Sequence, residues 1–409
     1  MFSGREFEDI RGALDEIPII DTHEHYGETW DSPGTTLYTI FRNSYVNWLA
    51  HDDDLEDNPK SLAAWLEPCW DNSYTVSLMR GLRDLYQIEE WALPDIPFAT
   101  LAENICTAHR DRNWALQVIR KAGIRHTIVD PLPTPGYIHG EPTFHLALRS
   151  HTLVHGYDRA ARDHNGCNPF EYAAKLSREI STFDDYVEFI DFWVAEHQKQ
   201  GAVAIKSALA YERDIEVGPV GRGEAARIFD SGTQDLGQQK KFGDFILNLL
   251  AEKAAEYDLV FQIHTGLALQ STSQPWRLMW LIDNNPDTTF ALFHAGYPWL
   301  DEVLAMSSER PNLIVDTCWL PIISPSAAVR FYREYPEIAH RSDTLLWGGD
   351  NWHVEETYGA ALTFKDCLAK AIADKVEGGY WTRREALRFA EGVMWRAAET
   401  WFDIDFGGD

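Results

Sequence analysis

The segment Asp21-Thr22-His23-Glu24-His25 closes a short apolar run, Ile17 to Ile20, and carries two imidazoles two residues apart. Side chains alternate faces along a strand, so His23 and His25 leave the backbone on the same side. So placed, they can reach one cation together, and neutral imidazole suits Zn, Ni, Fe or Cu. Two polar residues at a strand end form the same pattern without any function, so the pair gains weight only from companions. Companions follow further apolar runs: Lys206 after Ala202-Val203-Ala204-Ile205, His264 after Val260-Phe261-Gln262-Ile263, His294 after Phe290-Ala291-Leu292-Phe293, and Asp350 after Leu345-Leu346-Trp347-Gly348-Gly349. Imidazoles and a carboxylate at strand ends fit a divalent metal that activates water, and the lysine adds a cation for an acidic group.

The elements that must position these residues read as alternating strands and helices. Strand-like runs near residues 17–25, 125–130, 144–149, 202–207, 259–266, 289–296, 312–317 and 344–350 are separated by helical patterns such as Trp114–Ala122, Phe183–Gln200 and Phe242–Tyr257. Gly123 and Gly201 stop two of these helices. Apolar strands alternating with helices predict a parallel sheet, and eight of them predict an α/β fold of the (β/α)8 TIM barrel type. In such a barrel the active site lies at the carboxyl ends of the strands, where the residues above fall. Residues 1–30 and 116–409 are assigned to the barrel. Residues 31–115 lack strand signals and read as a mainly helical insertion after the first strand, expected to cap the site; Trp48, Trp65, Trp70 and Trp91 are read as its core. The last strong helix, Arg383 to Phe402, is expected to pack outside the barrel.

Composition narrows the partners. Among 409 residues, 64 are acidic and 36 basic, a formal charge of −28 that argues against nucleic acid or an anionic membrane. The five cysteines are scattered without a C-x-x-C pair, as in a reduced protein. The first residues lack a secretory pattern and no run approaches 18 apolar residues, so a cytoplasmic location is expected. The expected partner is a small molecule; assembly into a homo-oligomer is left open.

Taken together, Asp21-Thr22-His23-Glu24-His25, Ile263-His264-Thr265-Gly266, Phe293-His294-Ala295-Gly296 and Gly348-Gly349-Asp350 resemble the amidohydrolase superfamily of metal-dependent enzymes. The resemblance covers roughly residues 15–30 and 115–405 and leaves out 31–115. The His-Thr-Gly and His-Ala-Gly forms look closest to the branch of amidohydrolase-2-type hydrolases, aromatic-acid decarboxylases and, more distantly, uronate isomerases. It implies that His23, His25, His264 and Asp350 bind a divalent metal, usually Zn, and that His294 acts beside it. Lys206 has three readings. It binds a substrate carboxylate, forms a structural ion pair, or is carboxylated and bridges two metals; the first two are favoured, and with them a single ion. Tyr211, Arg213, Arg149 and Trp319 are candidate substrate contacts, with Trp352 and His353 beside them. Histidines 51, 109, 139, 145, 151, 155 and 164 are read as structural. The expected activity is hydrolysis of an amide, ester or lactone in a small acidic substrate, with Asp350 as base and His294 holding the carbonyl oxygen. The alternative is isomerisation or decarboxylation of a carboxylate substrate by the same residues.

Overall fold

The apolar runs become eight short parallel strands in one sheet, paired in chain order. They are β1 (Ile19–Glu24), β2 (Ile124–Val129), β3 (Phe144–Arg149), β4 (Ala202–Ser207), β5 (Val260–Ile263), β6 (Phe290–Phe293), β7 (Leu313–Asp316) and β8 (Leu345–Leu346). The computed structural model describes residues 4–406 apart from 50–54, 91, 94 and 133–135, so His51 and Trp91 lie outside the described residues. Closure between the last and first strands uses backbone bonds: Thr22 N–H to Trp347 O at 3.2 Å, Asp350 N–H to His23 O at 2.7 Å and His25 N–H to Asn351 O at 2.8 Å. The fold is a (β/α)8 TIM barrel.

Strand periodicity divides the apolar side chains between two cores. Ile20, Ile128, Ala147, Ala204, Val260, Ala291, Ile314 and Leu346 form the inner one, and Ile19, Ile124, Leu148, Ile205, Phe261, Leu292, Val315 and Leu345 meet the surrounding helices. The C-terminal segment departs from expectation in its placement. The helical stretch is continuous over 383–402, as expected, with a π segment at Gly392–Arg396 between Arg383–Glu391 and Ala397–Phe402, but it does not lie wholly outside the barrel. Ala397, Ala398, Phe402 and Ile404 join the inner core. Phe406 packs near His126 and Arg125 at the start of β2, so this segment closes the amino end of the barrel. Sequence periodicity shows that the helix is amphipathic but not which apolar surface receives it.

Residues 31–115 carry their own core, with Leu37, Phe41, Leu62, Leu66, Leu82, Phe98, Leu101 and Ile105 fully or almost fully buried. Thr36, Asn58 and Asn72 cap three of the helices, each accepting from a backbone N–H two or three residues on. The helix Ser73–Tyr86 packs on the long helix after β8, Val354–Glu377. Gly81 and Gly359 make the contact possible: a Cβ at Gly359 would stand 2.3 Å from Ser77 O, and one at Gly81 2.7 Å from Glu355 O. A buried carboxylate ties the same elements. Glu355 Oε1 accepts from Tyr86 Oη at 2.8 Å, His109 Nε2 at 2.8 Å and Trp114 Nε1 at 3.3 Å. Burial alone would raise this carboxyl, but the bonds from His109 and Tyr86 hold it down to about 2. Its folded value lies below the unfolded 4.5, so its contribution is present above that value and is lost as pH falls toward 2. Glu355→Ala strands three buried donors and is expected to cost about 3 kcal/mol near neutral pH. Lys121→Ala, which breaks a half-exposed pair with Asp84, should cost less than about 1 kcal/mol. Thermal unfolding of the two variants checks the difference; equal midpoints would show that Glu355 does not hold the insertion to the barrel.

Candidate metal centre

At the carboxyl end of the barrel, side chains from four strands meet in a small volume. His25 Nε2 lies 3.0 Å from Asp350 Oδ1 and His23 Nε2 lies 3.7 Å from the same oxygen. His294 Nδ1 lies 3.7 Å from Asp350 Oδ2, and His294 Nε2 faces His264 Nδ1 at 3.1 Å. The two rings of the H-x-H segment stand 4.8 Å apart, edge to face. Asp350 adopts φ +64°, a left-handed conformation uncommon for a residue other than glycine.

Backbone carbonyls fix the tautomers of three imidazoles. His25 Nδ1 donates to Asp130 O at 3.0 Å, His264 Nε2 to Leu267 O at 2.8 Å and His294 Nδ1 to Cys318 O at 2.9 Å. Their other nitrogens, His25 Nε2, His264 Nδ1 and His294 Nε2, therefore present lone pairs. Two of these lone pairs face each other and the third faces a carboxylate oxygen. Without a cation among them the arrangement is repulsive. His23 adds two ring nitrogens that are wholly buried and have no hydrogen-bond partner. Burial, reinforced by the charge of Lys206, keeps the pKa values of His23 and His264 well below the ordinary range. Burial and the neighbouring His264 do the same to His294. Neutral imidazoles beside a carboxylate are the donor set a divalent ion takes, so the residues present fit such an ion.

A cavity of about 220 Å³ opens on this centre, lined among others by His25, Lys206, His264, Asp350, Tyr211 and Trp352. A second cavity of about 340 Å³ shares His25, Trp48, Leu132 and Trp352 with it and extends toward Arg42, Asn43 and Ser44 of the insertion. Lys206 is buried, and its Nζ sits 3.4 Å from the centroid of the Phe293 ring. Burial lowers the ammonium to about 8 against the opposing pull of Asp350. Among the described residues it has no ion-pair partner, so the structure gives no support to a structural salt bridge at Lys206.

The other predicted contacts divide. Tyr211 lines the cavity with its ring 4.5 Å from His264. Arg149 also lines it, but Asp130 occupies both its Nε and Nη2, the first at 3.0 Å, so much of its hydrogen-bonding capacity is committed. Trp319 lies behind the lining, 1% exposed, its ring 5.1 Å from His294 and stacked on Tyr45 at 4.5 Å. Trp352 stacks on His25 at 5.3 Å. His353 lies in the wider cavity. Arg213 is not brought to the centre: its Nη2 binds Asp244 at 2.8 Å, and it lines a separate cavity with Tyr157 and Leu236. Position after β4 does not determine which way a long side chain turns, and a buried acid captured this one.

Three contributors escaped the sequence reading. Asp130 holds both His25 and Arg149; a carboxylate ending β2 was the signal available. Tyr45 reaches the cavity from the insertion, where nothing in its neighbours marks it out. His164, read as structural, forms part of the cavity wall with Asn165. It is held by Glu212, which accepts from His164 Nδ1 and His155 Nε2, each at 2.6 Å. His151 Nε2 lies 3.5 Å from the same carboxylate. Ala208 N–H approaches His151 Nδ1 at 3.3 Å, which puts the His151 proton on Nε2. This group is thus a carboxylate among imidazole donors.

The fold and this convergence define a TIM barrel with a candidate metal centre at its carboxyl mouth. Residues 222–378 match the family model described as Amidohydrolase. Protein fluG of Emericella nidulans is 28% identical over 223 residues, which are 50% of this chain and 26% of that protein, so the chain spans about a quarter of that relative's length. Among solved structures, a uronate isomerase from Thermotoga maritima superposes with a TM-score of 0.81 at 14% identity, over 98% of this chain and 100% of that one. A glucuronate isomerase from Caulobacter crescentus gives 0.78 at 14%, over 100% and 96%. A protein proposed to be a metal-dependent hydrolase, from Lactobacillus casei, gives 0.69 at 18%, over 96% and 97%. At these identities the likeness is one of fold. The match to the amidohydrolase family model over residues 222–378 agrees with the resemblance carried by the sequence motifs. No helix among the described residues is long and apolar enough to cross a membrane.

Proposed function

We propose that the chain is a zinc-dependent hydrolase that cleaves an amide, ester or lactone bond in a small acidic substrate. The observation that carries this reading is the pinned lone pair of His25 Nε2 3.0 Å from Asp350 Oδ1, with the pinned lone pairs of His264 and His294 facing each other at the same end of the barrel. His23, His25, His264 and Asp350 would hold the ion, and its chemistry there is to lower the pKa of water and polarise a carbonyl. Asp350 accepts the proton of the attacking water and passes it to the leaving group. His294, wholly buried, keeps its Nδ1–H on Cys318 O, so it acts through its Nε2 lone pair, as a proton acceptor beside the reacting carbonyl. Lys206 pairs with a substrate carboxylate, and Tyr45, Trp319 and Trp352 keep bulk water from the reacting bond. Isomerisation of a hydroxy-carbonyl acid is the second reading; Lys206, with no ion-pair partner among the described residues, suits an acidic substrate under either chemistry.

A panel of lactones, amides and sugar acids identifies the substrate. Lys206→Met preserves the length and apolar stem of the side chain and removes its charge. With that substrate, kcat/KM is expected to fall about 10- to 150-fold, the value of one charge-assisted hydrogen bond, with zinc content still about one per chain. Two ions in the wild type falling to one in the variant, with activity that depends on bicarbonate, would instead assign Lys206 as a carboxylated bridge.

A further inference from the structure

The two acidic residues of the Asp21-Thr22-His23-Glu24-His25 segment have no place in the chemistry above, yet both are fully buried. Asp21 Oδ1 accepts from Gly349 N–H at 3.0 Å and from His23 N–H at 3.2 Å. Glu24 Oε2 accepts from Asn351 N–H at 2.5 Å. The amides they hold belong to the residues on either side of Asp350. One oxygen of each buried carboxylate, Asp21 Oδ1 and Glu24 Oε2, is thereby given a donor that is a fixed point of the chain after β8.

We infer that Asp21 and Glu24 are positioning residues: a two-armed clamp from β1 that grips the backbone before and after Asp350 and so sets its carboxylate against His23 and His25. The inference rests on the metal-centre reading above. Its support is geometric. The clamp grips a residue at φ +64°, a conformation that persists only when its surroundings impose it. The grip also explains the paired glycines. A Cβ at Gly349 would stand 2.0 Å from Glu24 Oε1, and one at Gly348 would stand 2.6 Å from His23 N and 3.1 Å from Asp21 Oδ1. The chain can approach the two acids so closely only without side chains there. β1 and the residue that follows it supply His23 and His25, so one segment places two imidazoles and, through its acids, the carboxylate that faces them. Groups that orient the ligands of a metal affect affinity about 10- to 100-fold.

Zinc is the probe, with affinity read by competition against a chromophoric chelator and with unfolding of the zinc-free protein measured alongside. Glu24→Asp keeps the carboxyl group but withdraws the arm by one methylene, and is expected to weaken zinc binding at least about tenfold. Glu24→Gln keeps the length; its carbonyl accepts from Asn351 N–H and its amide donates to Asp21, so affinity should stay within about threefold of the wild type. Wild-type affinity in Glu24→Asp, or an equal loss in Glu24→Gln, would overturn the clamp, since reach and not charge is what it requires. A loss that appears only with a lower unfolding midpoint of the zinc-free form would make Glu24 merely structural and overturn it too. A wild-type protein that takes up no zinc would remove the metal centre itself, which is a failure of the functional reading and not of these variants.

Discussion

Replacing His23 and His25 together by alanine is expected to strip the protein of its tightly held divalent ion. Purified wild type should carry about one equivalent, most of it zinc, and the double variant almost none. A four-ligand zinc site is worth roughly 10–16 kcal/mol, so loss of half its ligands costs on the order of 6 kcal/mol, about four decades of affinity. The fold should survive the change. Both rings lie beyond the apolar part of β1, whose Ile19 and Ile20 stay buried in the outer and inner cores. Removing two buried polar rings also relieves lone pairs that point at one another and at Asp350. Metal analysis of the folded variant is the measurement. Full retention of zinc would show that the imidazoles are not its ligands, and would end the proposal.

The second large effect is expected at Asp350, which the proposal makes both ligand and base. Asp350→Asn keeps a coordinating oxygen and loses the proton acceptor, so turnover should fall by roughly two to four orders of magnitude while substrate affinity changes far less. Hydrolysis also draws its new oxygen from solvent. In isotopically labelled water the product of the wild-type reaction should carry the label. Isomerisation moves hydrogen between carbons of one molecule and needs no such oxygen. A product free of solvent oxygen, with carbonyl exchange excluded by a control, would sink hydrolysis and leave the second reading in its place. Both outcomes are compatible with the imidazole geometry, because the same residues serve either chemistry.

The barrel was legible in the sequence because its signal is local. Runs such as Val260-Phe261-Gln262-Ile263 and Phe290-Ala291-Leu292-Phe293 are too short and too uniformly apolar for amphipathic surface helices, and each is closed by a polar residue at the end where barrel sites form. His23, His25, Lys206, His264, His294 and Asp350 could be picked out by that position alone. What only the tertiary structure decided is how those residues are held and what else reaches them. The carbonyls of Asp130, Leu267 and Cys318 set the imidazole tautomers, and a carbonyl leaves no trace in residue type. Arg149 and Arg213 looked equivalent as cations after strands. One lines the cavity paired with Asp130 and the other turns away to Asp244, a choice made by which buried acid lies within reach. Tyr45 arrives from an insertion whose docking depends on Gly81 lying against Gly359, nearly three hundred residues along the chain. Spacing along a strand is a property of the backbone and can be read from a short stretch of sequence; the partner of a buried charge is a distance between remote segments, and only the packed chain has it.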